Sequence, residues 1–298
     1  MIAEKAKYRL RWAIWCLLLA GKAAFAASLV NSDALLWKVT GEHGEVSHVF
    51  GTIHSDDPRV LRLKPAAQAA FDNSERLVLE IVLTPEGMLN MMTRMYRRDG
   101  SELKPELPEP VYMQTVAAFK ERGLDESWVN RLTIWGAAMT LMIPQSEGTV
   151  LDLRLQAEMQ GRNKPIFGLE TVDSQLAVFA DLDKESQIRM LTIALGELHR
   201  LDETTQQLIR YYLREDIAAI SNMENEYHTG ENRKFMVRLM DRLIDERNGR
   251  MTQAMLEHLR AGGAFVAIGA LHLPGKNGVI NLLRKAGYQV EPVRPKAE

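Results

Sequence analysis

Two periods organise the apolar residues of this chain. Leu35-Leu36-Trp37-Lys38-Val39-Thr40, the turn Gly41-Glu42-His43-Gly44 and the run from Val46 to Ile53 predict a β-hairpin. Residues 76–83 form a nearly continuous apolar stretch of strand length, suited to a sheet covered on both faces and interrupted by Glu80. Shorter runs at 164–167, 264–268 and 289–293 predict further strands. Between them, apolar positions recur at helical spacing, predicting helices over 65–73, 85–97, 108–122, 131–142, 150–160, 184–213, 233–260 and 279–286.

Strands alternating with helices imply an α/β fold: a central mixed β-sheet formed by N- and C-terminal strands, with flanking helices and an added helical layer from the middle of the chain. No internal repeat, low-complexity tract or Pro/Gly/Ser linker divides the sequence, so residues 27–293 are expected to form one domain, followed by a polar tail over 294–298. The succession of Pro, Gln, Ser, Glu, Gly and Thr at 144–149 marks the best candidate for a mobile loop.

The first residues change the picture. Lys5, Lys7, Arg9 and Arg11 precede an apolar run from Trp12 to Ala20, followed by Ala24-Phe25-Ala26, the pattern of a cleavable signal peptide over residues 1–26. The run is far short of the roughly 20 residues a spanning helix needs, so no stable membrane anchor is expected after cleavage. Cleavage would remove five basic residues and one acidic one, taking the formal charge from −2 to −6. A mildly acidic exported protein, periplasmic or secreted, is expected, and binding to nucleic acid is disfavoured. Cys16, the chain's one cysteine, lies inside the apolar run between Trp15 and Leu17, which are too bulky for a lipoprotein cleavage site. The mature chain would thus lack a thiol. Disulfides, thiolate catalysis and cysteine zinc sites are excluded by count, leaving His, Asp and Glu for metal chemistry.

In an α/β sheet, polar residues at strand ends are the place to look for chemistry. Two segments share one design: a strand runs into Gly51-Thr52-Ile53-His54, and another into Gly269-Ala270-Leu271-His272. Glycine allows a tight turn, and the His three residues on projects at the strand's end. With 20 Gly and 7 His in the chain, chance alone supplies about half a Gly-x-x-His match, and a third copy, Gly196 to His199, falls in a helical pattern. Strand context separates the other two. Glu80, within an apolar strand, would cost several kcal/mol if buried charged and alone, so it needs a cation, a hydrogen-bonding nest or a metal; Arg247 is a candidate partner. Glu170 follows Gly168-Leu169 at another strand end, where it could also open the next helix. Asp152, in the first turn of a helix, could orient a ligand or favour the helix dipole. Arg247-Asn248 could line the site or belong to a solvated face. Two His and two Glu suit a divalent metal with N/O ligands. HExxH and Gly-x-Ser-x-Gly are both absent.

These residues, with Ala267 to Gly275 and the closing block from Phe265 to Tyr288, resemble the TraB/GumN family, which includes the Tiki-type metalloproteases. The likeness covers nearly the whole mature chain. It implies an α/β fold of the erythromycin-esterase and haem-binding ChaN-like group, a divalent metal (manganese, cobalt or zinc), and hydrolysis of a peptide or small-molecule substrate. Carried over, the metal would be held by His54, His272 and Glu80, with Glu80 or Glu170 as general base and Arg247 beside them. The rival readings on the same scaffold are a non-catalytic metal- or haem-binding periplasmic protein and an ester or lactone hydrolase.

Overall fold

The hairpin alternation folds as a hairpin. β1 (Leu36–Thr40) and β2 (Val46–Thr52) pair antiparallel, with Leu36 opposite Phe50 and Thr40 opposite Val46. The computed structural model describes residues 31–144, 148–227 and 230–294, with backbone alone for 224–227. The expected signal peptide, residues 145–147 of the expected loop, and 295–298 of the expected tail lie outside them. The described chain forms two compact units: 31–82, 148–171 and 207–294 make one, and 83–144 and 172–206 the other.

The first unit holds a six-stranded sheet. With β3 (Arg76–Leu79), β4 (Ile166–Gly168), β5 (Ala264–Gly269) and β6 (Gln289–Pro292), the order is β4-β3-β5-β2-β1-β6. β4, β3, β5 and β2 run parallel, and β1 runs antiparallel to both its neighbours. The expected mixed α/β sheet from both ends of the chain is therefore present. All six residues of β5 are buried, as its unbroken apolar run requires of a central strand. Phe265 packs between Phe50 and Phe71, with ring centroids 5.6 and 5.3 Å away. The parallel arrangement brings the carboxyl ends of β2, β3, β4 and β5 to one edge.

Boundaries depart from the sequence pattern in three instructive places. The strand expected over 76–83 ends at Leu79. Glu80 turns its side chain to the Gly269 N–H at the end of β5, so the carboxylate stands at a strand end and not in the middle of a strand. The helix expected over 184–213 is two helices, Lys184–Glu197 and Leu201–Leu213, joined by a 3-10 turn that contains His199. The stretch 233–260 runs from Gly230–Met240 through a π-helical turn, Asp241–Asp245, into Glu246–Arg260. Helix Val172–Ala180, which the sequence marks only by its opening after Glu170, and helix Ile217–Tyr227 fall outside the predicted helical ranges.

The second unit is helical among the described residues, with Ile134–Met142 packed against Lys184–Glu197. Thr133 caps the first of these by accepting the Gly136 N–H at 3.0 Å. At its other end Arg122 donates to the carbonyls of Thr140, Leu141 and Ile143 at 2.5, 2.6 and 3.1 Å. Those carbonyls have no intrahelical partner, and a cation there also meets the negative end of the helix dipole. Arg122→Ala is expected to lower the stability of this unit by about 1–2 kcal/mol, read from chemical unfolding.

Candidate functional site

The site is built at the carboxyl edge of the parallel strands, all within the sheet unit. β2 delivers Thr52 and, two residues on, His54. Asp152, in the first turn of helix Leu151–Gly161, accepts from both: Thr52 Oγ1 at 2.7 Å and His54 Nδ1 at 2.8 Å. With Nδ1 protonated toward the carboxylate, Nε2 is left as the ring's lone pair. β5 delivers Gly269, and a 3-10 turn, Ala270–His272, delivers His272, which is fully buried. His272 Nδ1 lies 2.7 Å from Asn248 Oδ1; an amide oxygen only accepts, so Nδ1 carries the proton and Nε2 is again the lone pair. Asn248 is fixed in turn by donating to Asn277 O at 2.9 Å.

The two glycines have separate reasons. A Cβ on Gly51 would come within 2.8 Å of Leu273 Cδ1 and 3.0 Å of Ala270 Cα, so the first Gly-x-x-His packs directly against the turn that carries the second. Gly51→Ala is expected to cost about 1–3 kcal/mol through this overpacking, measured as a lowered thermal midpoint. Gly269 serves through its N–H, which donates to Glu80 Oε1 at 2.7 Å.

Glu80 and Glu170 leave the ends of β3 and β4 and meet at Arg247. Arg247 is 2% exposed. It donates from Nη2 to Glu80 Oε2 at 2.5 Å, from Nε to Glu170 Oε2 at 2.7 Å and from Nη1 to Leu243 O at 3.0 Å, with Nη1 3.5 Å from His272 Nε2. Leu243 belongs to the π-helical turn, so that irregularity helps to aim the guanidinium. Glu170 Oε1 is buried without a hydrogen bond, 3.5 Å from Nη2 of the half-exposed Arg250.

Electrostatics ties these groups together. Burial opposes ionisation of Glu80, but the charges of Arg247, His272 and His54 and the Gly269 N–H outweigh it and hold the carboxyl down at about 2. Desolvation pushes the His272 imidazole down to about 4, keeping it neutral. Desolvation also opposes the His54 cation, yet the Asp152 and Glu80 carboxylates raise its pKa overall. The negative field that raises His54 is one that would favour a bound cation. Two carboxylates, of Glu80 and Glu170, face one buried guanidinium, and a third, of Asp152, faces the His54 imidazole.

A divalent ion fits this donor set in chemistry: two imidazoles with Nδ1 tied back, an excess of buried carboxylate, and one orphaned carboxylate oxygen. The present arrangement is not a finished cage. Among the described residues, no three His, Asp or Glu converge to hold an ion, because Glu80 is committed to Arg247 and Gly269.

All nine residues singled out from the sequence therefore fall in one region: Gly51, His54 and Asp152 on one side, Glu80, Glu170, Arg247, Asn248, Gly269 and His272 on the other. Sequence reasoning missed Thr52, although it sits inside the first motif, and Tyr212, whose hydroxyl donates to Gly51 O at 2.9 Å and which no local pattern marks. Of the other described histidines, His258 packs its ring on Phe167, with centroids 4.6 Å apart.

The chain is 23% identical to the metalloprotease TIKI1 of Danio rerio over 313 residues, covering 87% of this chain and 63% of that protein. It is 24% identical to human metalloprotease TIKI1 over 314 residues, covering 87% and 62%. It is also 25% identical to the protein YbaP of Escherichia coli (strain K12) over 250 residues, covering 80% of this chain and 87% of YbaP. The chain thus spans less than two thirds of the length of these TIKI proteins. No solved structure matches. No helix among the described residues is long and apolar enough to cross a membrane. The sequence model of the TraB/PrgY/gumN family matches residues 35–292, and the chain belongs to that family.

Proposed function

We propose that this protein is an exported metal-dependent hydrolase that cleaves peptide bonds. The observation that carries the reading is the matched pair of imidazoles at the ends of β2 and β5, each fixed through Nδ1 by Asp152 or Asn248, set beside a buried excess of carboxylate. The names of the TIKI relatives support it. His54 and His272, with Glu80, would hold the divalent ion, be it manganese, cobalt or zinc. When bound, such an ion supplies an activated water and polarises the scissile carbonyl.

The chain's own residues divide the remaining work. Glu80, held at about 2, is too acidic to keep a water proton near neutral pH, which suits a ligand better than a base. Glu170 is assigned the base role, because its buried Oε1 makes no hydrogen bond. Arg247 has three of its five N–H groups committed to Glu80, Glu170 and Leu243 O, which makes neutralising the carboxylates its main work. Asn248 and Asp152 orient the two imidazoles. Asn248→Ala is expected to weaken metal affinity about 10- to 100-fold while leaving the ligands in place, measured by competition with a chromogenic chelator.

The test is hydrolysis of a fluorogenic peptide library, with generic esters beside it, before and after chelation. Peptide cleavage lost on chelation and restored by one of the three metals is the expected result. Cleavage indifferent to chelator, or of esters alone, would contradict it. The close Glu80–Arg247 pair, which keeps that carboxylate engaged, favours a second reading, a protein without turnover, for which no cleavage under any of the three metal loadings would be the sign.

A further inference from the structure

A cavity of about 450 Å³ lies farther along the same edge of the sheet unit, where β2 ends and β1 begins. Leu36, Phe50, Leu63 and Tyr212 form its floor, each at least nine-tenths buried. Tyr212 is also the residue whose hydroxyl holds Gly51 O, so the floor adjoins the first Gly-x-x-His turn without including its His. A cavity of this size with an apolar lining and few polar groups has the usual form of a small-molecule site. An apolar floor is also a poor host for water, which needs two to four polar partners.

The charged lining is one-sided. Arg59, Arg62, Lys64 and Arg294 stand around the cavity, and Glu215 is the single carboxylate among the lining residues. Glu215 is spent on Lys64, at 2.5 Å, and on the Leu35 N–H, at 3.2 Å. Arg59 is held by Asp57 and Arg294 by Asp33. Arg62, exposed at the end of helix Pro58–Leu61, is the rim cation with no carboxylate partner among the described residues. A cationic or neutral occupant would leave this excess positive charge unanswered, whereas an anionic head on an apolar chain satisfies both parts of the cavity.

We propose that this cavity binds a single alkyl chain bearing an anionic head, the chain lying on the Leu36, Phe50, Leu63 and Tyr212 floor and the head at Arg62. The head is a carboxylate, as in a free fatty acid, or a phosphate, as in a single-chain lipid. Binding here is independent of the hydrolase reading.

Calorimetric titration of the full chain tests it, with dodecanoate, dodecyl phosphate and dodecyltrimethylammonium as probes, each below its micellar concentration. At least one anion is expected to saturate one site per chain at least tenfold more tightly than the cation, and the order of the two anions identifies the head. Arg62→Glu is expected to weaken that anion at least tenfold. Ala66→Trp, at an exposed position on the cavity lining, is expected to abolish binding by filling the space. Both substitutions are on the surface, and unchanged melting would show that the fold is intact. Equal binding of anionic and cationic chains, anion binding unmoved by both substitutions, or no saturable binding would overturn the proposal.

Discussion

Arg247→Met is expected to destabilise the sheet unit by about 3–5 kcal/mol, the cost of breaking a buried ion pair from one side. The guanidinium is 2% exposed and serves two carboxylates, Glu80 and Glu170, each with a side chain at most 5% exposed. Without it, both are left as uncompensated charges or take up protons, and the Leu243 carbonyl loses its donor. Because the charges cause the loss, Arg247→Met combined with Glu80→Gln is expected to be more stable than Arg247→Met alone, even though it carries one change more. Urea unfolding followed by circular dichroism reads both. A loss below about 1 kcal/mol for Arg247→Met, or a double variant weaker than the single, would mean that the two carboxylates do not depend on this arginine.

His54→Ala and His272→Ala are each expected to lower kcat/KM for peptide cleavage by at least about 10³, since either change removes one imidazole from the ion and the ion is asked to supply several kcal/mol of transition-state stabilisation. The structural cost should be much smaller. His272→Ala leaves Asn248 Oδ1 without its donor and opens space in a fully buried position, about 1–3 kcal/mol. His54→Ala leaves Asp152 still holding Thr52 at 2.7 Å. Activity and stability therefore separate in these variants, whereas in Arg247→Met they fall together. Retention of a tenth or more of wild-type kcat/KM in either His variant would remove that residue from the reaction.

Much of the site is legible in the sequence because its residues are anomalies in otherwise regular patterns. Glu80 interrupts an apolar run, and two strands end in the same Gly-x-x-His; each needs a polar neighbour at a strand end, and a parallel sheet collects strand ends at one edge. The hairpin and the buried central strand are legible from period-2 alternation and from unbroken apolar character. The partners of these residues are legible only in part. Arg247 and Asn248 sit on a long charged helix whose pattern equally suits a solvated face, and nothing local says that a π-helical turn places Leu243 and Arg247 together. Tyr212 lies 161 residues from Gly51, the carbonyl it binds. The break between helices at Leu198–Arg200 is hidden because a single 3-10 turn leaves helical periodicity almost undisturbed. For the site's partners, long-range hydrogen bonding decides what local pattern leaves open.

The most direct test of the site is metal content of the purified protein after loading with manganese, cobalt or zinc and removal of free ion, for wild type beside His54→Ala and His272→Ala. One ion per chain in the wild type, lost in both variants with the fold intact, is the expected result. Wild-type metal content in both variants, or no bound metal in the wild type under any of the three loadings, would contradict the assignment of this strand edge as a metal centre.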